Sequence, residues 1–363
     1  MATHWFDSGE GVAGGDPYGV TVRFTGRRTG TRGNPRPGES FIKDEVIEGI
    51  VPGTGPVSIT TTVSGVLAGD WTVDAELVAD SRTAGPFALA PRARGSSGRQ
   101  VRPAAWSWRR WAISTRPEQP IPTRWALLAP LAMQPAVMPG IYTALGIFAI
   151  VFALVVQAAI LGRGDVPFGP TLGASGIAIL FGLFGAKVWY ATLHPGESII
   201  RGGWAVDGFL IVFPVVAAVA LLLFELPIGV VLDASTPGVF FAVAIGRVGC
   251  FFTGCCAGRC TASRWGMWSS DRRVGARRLP TQLFESGAGL VIGLVALVLV
   301  LGGMSPLSGV IFVTAFSVYA IVRQVLLRLR VEQRRDARTV PMTGVASGVV
   351  TFAVIVLSVA QGP

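Results

Sequence analysis

Arg247, Arg278 and Glu285 stand inside or at the edges of apolar stretches, where a charge needs either a partner or a task. The densest group runs from Ala244 to Glu285: AIGRVGCFFTGCCAGRCTASRWG, a basic stretch, then RRLPTQLFES. A guanidinium fork meets a phosphate through parallel N–H groups, so Arg247 and Arg278 suit an anionic lipid headgroup. Gly249, Gly254 and Gly258 let a ligand or a second backbone approach closely. Glu285 is one of very few carboxylates in apolar surroundings. It is either the structural partner of Arg247 or Arg278, or a proton acceptor, and arginine pairing is the expected role.

All four cysteines fall within eleven residues, Cys250, Cys255, Cys256 and Cys260. The spacing C-x4-C-C-x3-C is not a zinc pattern, and no histidine is close in sequence. Small packing residues at a helix end, disulfides, a metal or a catalytic thiol all remain open, with packing first. No P-loop, H-E-x-x-H or GxGxxG motif is present, and no cofactor or metal is expected.

The same residues resemble the prolipoprotein diacylglyceryl transferase family. Its R-x-G-N-F-x-N-G-E-x-x-G run is similar to Arg247-Val248-Gly249-Cys250-Phe251-Phe252-Thr253-Gly254-Cys255-Cys256-Ala257-Gly258. Its R-H-P-S/T-Q-L-Y-E run is similar to Arg278-Leu279-Pro280-Thr281-Gln282-Leu283-Phe284-Glu285. Upstream, Gly185–Tyr190 (GAKVWY) resembles G-A-R-x-x-Y, and Gly202–Gly208 (GGWAVDG) resembles G-G-M-S-F-H-G. Downstream, Ser308-Gly309 and Tyr319 to Arg323 resemble S-G and Y-x-x-x-R. The departures are chemical. Asp207 stands at the family's histidine, Cys250 at its asparagine, Cys255 at its first glutamate, Lys187 at an arginine and Phe284 at a tyrosine.

The resemblance implies transfer of the diacylglyceryl unit of phosphatidylglycerol to a lipobox cysteine, with release of glycerol phosphate. It implies that Arg247 and Arg278, with Arg323 and Arg201 nearby, hold the lipid phosphate and stabilise charge as it leaves. Glu285 would orient an arginine. Gln282, Tyr319, Tyr142, Cys250 and Cys255 would line the pocket with the three glycines. Asp207 is the candidate base if burial raises its pKa. His194, thirteen residues earlier, is the weaker candidate, because a lone loop histidine is ordinarily just solvated.

Something must hold these groups at membrane depth, and the composition says what. Hydrophobic residues make up 51% of the 363 and charged residues 14%, with mean hydropathy +0.55. A soluble chain carries about 25% charged residues. Apolar runs near 138–161, 170–192, 204–224, 234–250, 286–303, 306–327 and 341–361 have bilayer-spanning length. The expected fold is therefore an α-helical polytopic membrane protein of about seven transmembrane helices, with a small N-terminal all-β sandwich-like domain.

The net charge of +10 suggests nucleic acid until the charges are located. Residues 1–80 carry 6 basic and 11 acidic side chains, residues 81–136 carry 9 and 1, and residues 137–363 carry 16 and 9. The basic excess adjoins apolar sequence, which fits an anionic lipid surface and not a nucleic-acid partner. Loop charge places the basic face and the N-terminus in the cytoplasm, whereas the family resemblance implies an outward active face. The cell membrane, multi-pass, is the expected location. The first thirty residues lack the apolar run of a secretory signal peptide.

Residues 1–80 are expected to be an accessory β domain. Trp71, Val73, Ala75 and Leu77 alternate with Thr72, Asp74, Glu76 and Val78, as a half-buried strand requires. Shorter strands are expected at Val20–Phe24, Glu45–Val51 and Val57–Val63. Residues 81–136 form a basic Trp/Pro-rich connector, expected as a headgroup-level tether with few contacts crossing it. Residues 137–363 form the transferase-like part. The leading function is thus a lipid-dependent transferase using phosphatidylglycerol or another anionic phospholipid and a lipobox protein acceptor. The alternatives are an idle relative that anchors the N-terminal domain on anionic lipid, and a small transporter.

Overall fold

The computed structural model describes residues 2–8, 16–67, 71–78, 137–138, 140–164, 166–195, 204–303 and 307–331. The connector, Arg201 and the seventh expected span lie outside the described residues. The chain divides into two units. The first holds residues 1–145, 247–284 and 326–334; the second holds 146–246, 285–325 and 335–363.

The β structure belongs to the first unit. Its strands are β1 (Ala2–Asp7), β2 (Tyr18–Arg28), β3 (Ser40–Ile50), β4 (Pro56–Thr61), β5 (Trp71–Val78), β6 (Met267–Ser270) and β7 (Val274–Arg278). They form a four-stranded sheet in the order β1-β4-β7-β6 and a three-stranded sheet in the order β3-β2-β5, and every pairing is antiparallel. The alternation in β5 holds: Trp71 is buried, while Thr72, Asp74 and Glu76 are exposed. Phe6, Val57, Ile59, Val274 and Ala276 of one sheet pack with Val22, Phe24, Ile47 and Ile50 of the other, as in a sandwich.

Two strands of that sandwich come from the C-terminal part. Ser58 pairs with Gly275 and Ile59 with Val274, so the expectation of few contacts beyond the connector is corrected. Gly275 permits this, since a Cβ there would collide with the Trp268 ring, 2.7 Å away. Arg273, between β6 and β7, adds an ion pair to Glu45 of β3, with Nη2 donating to Oε2 at 2.6 Å.

The helices are α1 (Ile141–Leu161), α2 (Phe168–Leu193), α3 (Val206–Leu223), α4 (Ile228–Thr253), α5 (Thr281–Leu301) and α6 (Val310–Leu327). Among the described residues, five of these are long and apolar enough to cross a membrane. The apolar stretch of α3, Ile211–Leu223, is shorter. The fourth expected span was short, 234–250, because Asp233 reads as a loop residue. The helix instead begins at Ile228 and carries Asp233 buried within it. The Asp233 carboxylate accepts the backbone N–H groups of Gly309 and Phe312, at 2.7 and 2.9 Å. These donors belong to the first turn of α6, which has no intrahelical acceptors to offer them.

Small residues set the helix packing in the second unit. A Cβ on Gly185 of α2 would lie 2.5 Å from Val212 Cγ2 and 3.0 Å from the Gly208 carbonyl of α3. The two backbones therefore touch at the glycines of two motifs that are separate in sequence. Lys187, on the same helix, lies 4.5 Å from the Trp204 ring centre.

Candidate active site

In the first unit the site is assembled where α4 ends. Gly254 takes φ +69° and closes the helix with its N–H to the Phe251 carbonyl, the left-handed stop that glycine adopts without a Cβ clash. Arg272 Nε donates to the Thr253 carbonyl at 2.8 Å, supplying a cation to the negative end of the helix. Cys256 follows at φ +56°, a conformation costing about 1–2 kcal/mol for a residue with a side chain. Thr281 Oγ1 and Gln282 Nε2, at the start of α5, donate to the carbonyls of Cys256 and Cys255 at 3.2 and 2.9 Å. The turn is thus held from both sides.

This turn brings Arg247 together with thiols. Its Nη1 lies 4.0 Å from Cys250 Sγ and 3.9 Å from Cys256 Sγ. Cys255 Sγ contacts Thr253 Oγ1 at 3.6 Å, and all four cysteines are unbridged. Among the described residues no group of three or more His, Cys, Asp or Glu side chains could hold a metal ion. Tyr142, at the start of α1, lies across Gly249; a Cβ there would be 3.2 Å from Tyr142 Cδ2.

Arg278 is more deeply placed than its sequence suggests, at 2% exposure. Its Nη2 donates to Asp271 Oδ2 at 2.7 Å and to the Val274 carbonyl, and its Nη1 donates to the Gly258 carbonyl. Nε of Arg278 and Oε1 of Gln282 are buried without a hydrogen-bond partner. Buried polar atoms in that state call for an explanation, such as a ligand or solvent. Gly254 and Gly258 face protein: a Cβ on either would collide with the carbonyl of Ser270 or of Leu279. Their role in this fold is close backbone packing.

In the second unit Glu285 is fully buried, and its Oε1 accepts hydrogen bonds from Tyr319 Oη at 2.7 Å and Arg323 Nη1 at 2.8 Å. Tyr319 and Arg323 are four residues apart on α6, so both reach the same carboxylate from one helix face. The ring of Phe240 packs edge-on against Tyr319, 5.5 Å between centres. Arginine pairing of Glu285 is therefore observed, with Arg323 as a partner. Asp207 is the second residue of α3. His194 ends α2, exposed, its ring stacked on Tyr190 at 4.2 Å. Asp271, Arg272 and Asp233 carry structural roles that no motif signalled; only their placement beside buried cations and helix ends reveals them.

Apolar helices of spanning length that shelter a carboxylate buried against tyrosine and arginine define a multi-pass membrane protein. The chain belongs to the prolipoprotein diacylglyceryl transferase family, which residues 134–360 match. It is 30% identical over 158 residues to the phosphatidylglycerol–prolipoprotein diacylglyceryl transferase of Dehalococcoides mccartyi strain 195, covering 40% of this chain and 60% of that protein. Proteins of the same name from strains BAV1 and CBDB1 of that organism are 32% identical over 127 residues, 33% of this chain and 48% of theirs. The chain thus spans about half to three-fifths of the curated relatives it matches. These matches lend no support to the idle, lipid-anchoring alternative.

Proposed function

We propose that this protein transfers the diacylglyceryl group of phosphatidylglycerol to the thiol of a lipobox cysteine in the cell membrane. The observation that carries the reading is the polar machinery kept inside apolar helices: Glu285 fully buried on Tyr319 and Arg323, in a chain of this family. Buried charges of this kind are retained at functional positions because apolar surroundings make them expensive.

In the proposed reaction the acceptor sulfur attacks the glycerol carbon that carries the phosphate. A C–S bond forms, and the C–O bond breaks. Glycerol phosphate leaves with the electron pair, and the thiol proton passes to a base, for which Asp207 is the proposed group. Arg247, partly buried where α4 ends, would meet the phosphate and stabilise its growing charge. Arg278 would contribute through Nε, the one guanidinium nitrogen its structural partners leave open. Arg323 would act with Glu285, which fixes the guanidinium in place. Arg201 is proposed as a further phosphate contact. Cys250 lies beside Arg247 and Cys255 beside Thr253, both as packing thiols in this reading, and the acceptor cysteine would belong to another protein.

The test is mass spectrometry of a lipobox peptide incubated with the full chain in phosphatidylglycerol vesicles. Arg247→Ala should abolish the diacylglyceryl mass increase while leaving membrane insertion intact. A fourfold Cys→Ser variant should retain it. Unchanged transfer by Arg247→Ala would remove the phosphate role and with it this mechanism.

A further inference from the structure

A cleft of roughly 760 Å³ lies within the first unit, between the Gly53–Pro56 turn that joins β3 to β4 and the segment from Arg264 to the start of α5. It shares no residue with the Arg247–cysteine group. Its volume falls in the range of about 300–1,000 Å³ typical of small-ligand sites. Trp268 forms its fixed wall, buried, stacked on Trp5 at 5.3 Å and donating Nε1–H to the Pro56 carbonyl at 2.8 Å. Trp265, 64% exposed, and Phe284, on the first turn of α5, supply aromatic surface nearer the mouth.

The charge in this cleft has one sign. Arg277 follows from the pleat of β7: neighbours on a strand point to opposite faces, so Arg278 turns inward to Asp271 while Arg277 borders the cleft. Its Nε donates to the Gly266 carbonyl at 3.3 Å, which fixes the side chain along the wall. Arg264 is the second cation, its guanidinium 5.5 Å from the Trp265 ring centre. Among the described residues no acidic side chain borders the cleft. Two cations beside apolar and aromatic walls complement a molecule with an anionic head and an apolar body. Leu283 and Phe284 belong to a helix apolar enough to span a bilayer, so one wall begins where lipid begins. Tryptophan and arginine at that level are the side chains that contact headgroups.

We infer that this cleft is a binding site for an anionic phospholipid, its phosphate held by Arg264 and Arg277 and the upper part of an acyl chain against Trp265 and Phe284. The site is made partly by the Gly53–Pro56 turn, which lies before the family match at 134–360. It therefore couples the N-terminal β structure to the lipid surface, and it does not depend on the transfer reaction.

The experiment places a photo-crosslinking residue in the wall, Trp265→p-benzoylphenylalanine, in the full chain reconstituted in vesicles of phosphatidylglycerol and phosphatidylcholine. Irradiation should yield adducts of phosphatidylglycerol in preference to phosphatidylcholine. Adding Arg264→Gln and Arg277→Gln should lower the phosphatidylglycerol adduct about tenfold or more, the loss of a charge-assisted contact. Arg264→Gln alone, at an exposed position, should lower it in the same direction if the pair disturbs folding. Arg247→Ala should leave the adduct yield unchanged, which separates this site from the transferase reading. Equal labelling of the two lipids, or labelling unaffected by both glutamines, would overturn the assignment.

Discussion

Arg323 and Glu285 form an ion pair of unequal depth: the carboxylate has no exposure, while the guanidinium donating to it at 2.8 Å is 36% exposed. The desolvation penalty therefore falls mainly on Glu285, and Tyr319 offsets part of it with a second hydrogen bond to the same oxygen. Removing the cation leaves a buried charge with less compensation, whereas removing the phenol leaves one hydrogen bond fewer.

Arg323→Met should accordingly destabilise the folded protein by up to about 3 kcal/mol, less than a fully buried pair because water already screens the guanidinium. Tyr319→Phe should cost about 1 kcal/mol. Adding Glu285→Gln to Arg323→Met should recover part of the loss, since a neutral amide needs no cation. Denaturant unfolding in lipid-reconstituted samples measures all three. Equal stability of Arg323→Met and the parent protein would dismiss the pair as a structural element.

Glu45 makes the sandwich sensitive to acid. Burial pushes its carboxyl upward, but hydrogen bonds from Thr61, Lys43 and Arg273 outweigh it and hold the pKa below the ordinary 4.5. A depressed folded-state pKa means the stabilisation is complete above 4.5 and is lost as pH falls from there through the folded value. Hydrogen-exchange protection at Val274 and Gly275, taken relative to the intrinsic exchange rate at each pH, should therefore fall below pH 4.5 in the parent protein. In Glu45→Gln this acid step should flatten, and exchange should already be faster at neutral pH. An identical pH profile in both proteins would sever Glu45 from the docking of β7.

Three of the thiols should be slow nucleophiles. The hydrogen bond with Cys250 raises Cys255, the hydrogen bond with Cys255 and then burial raise Cys256, and burial raises Cys260 against the opposing charge of Arg278. The thiolate is the reactive form, so iodoacetamide should modify these residues more slowly at pH 7 than a free thiol. The rate should rise about tenfold per pH unit over the alkaline range. Peptide mapping after timed alkylation reads each cysteine separately. Fast labelling of Cys255 at pH 7 would reopen a catalytic role for it.

Much of the helical part was legible in the residues because its determinants are local. A run of apolar side chains of bilayer length, such as 141–161, has few alternatives to a helix in lipid. The order of the arginine, glycine and glutamine motifs gave the family without any geometry. The β5 alternation was equally local, since period-2 burial is written in consecutive residues. By contrast, β1 is a six-residue strand with no turn signal of its own, and nothing in its composition names β4 as its partner.

What the sequence determined by itself, then, was the class of each segment and the set of polar residues that must be sheltered. The tertiary structure decided who shelters whom. Ser58 and Gly275 are 217 positions apart, yet they pair, because a strand's backbone groups accept any strand edge brought alongside and local pattern cannot name it. Glu285 needed a cation, and Arg278 was the nearer one in sequence. The packing of α6 supplied Arg323, and Arg278 went to Asp271, seven residues away across a hairpin. Buried charge demands compensation, but the demand is satisfied by whichever groups the packed backbone carries within hydrogen-bond reach. That choice is made by distance in space.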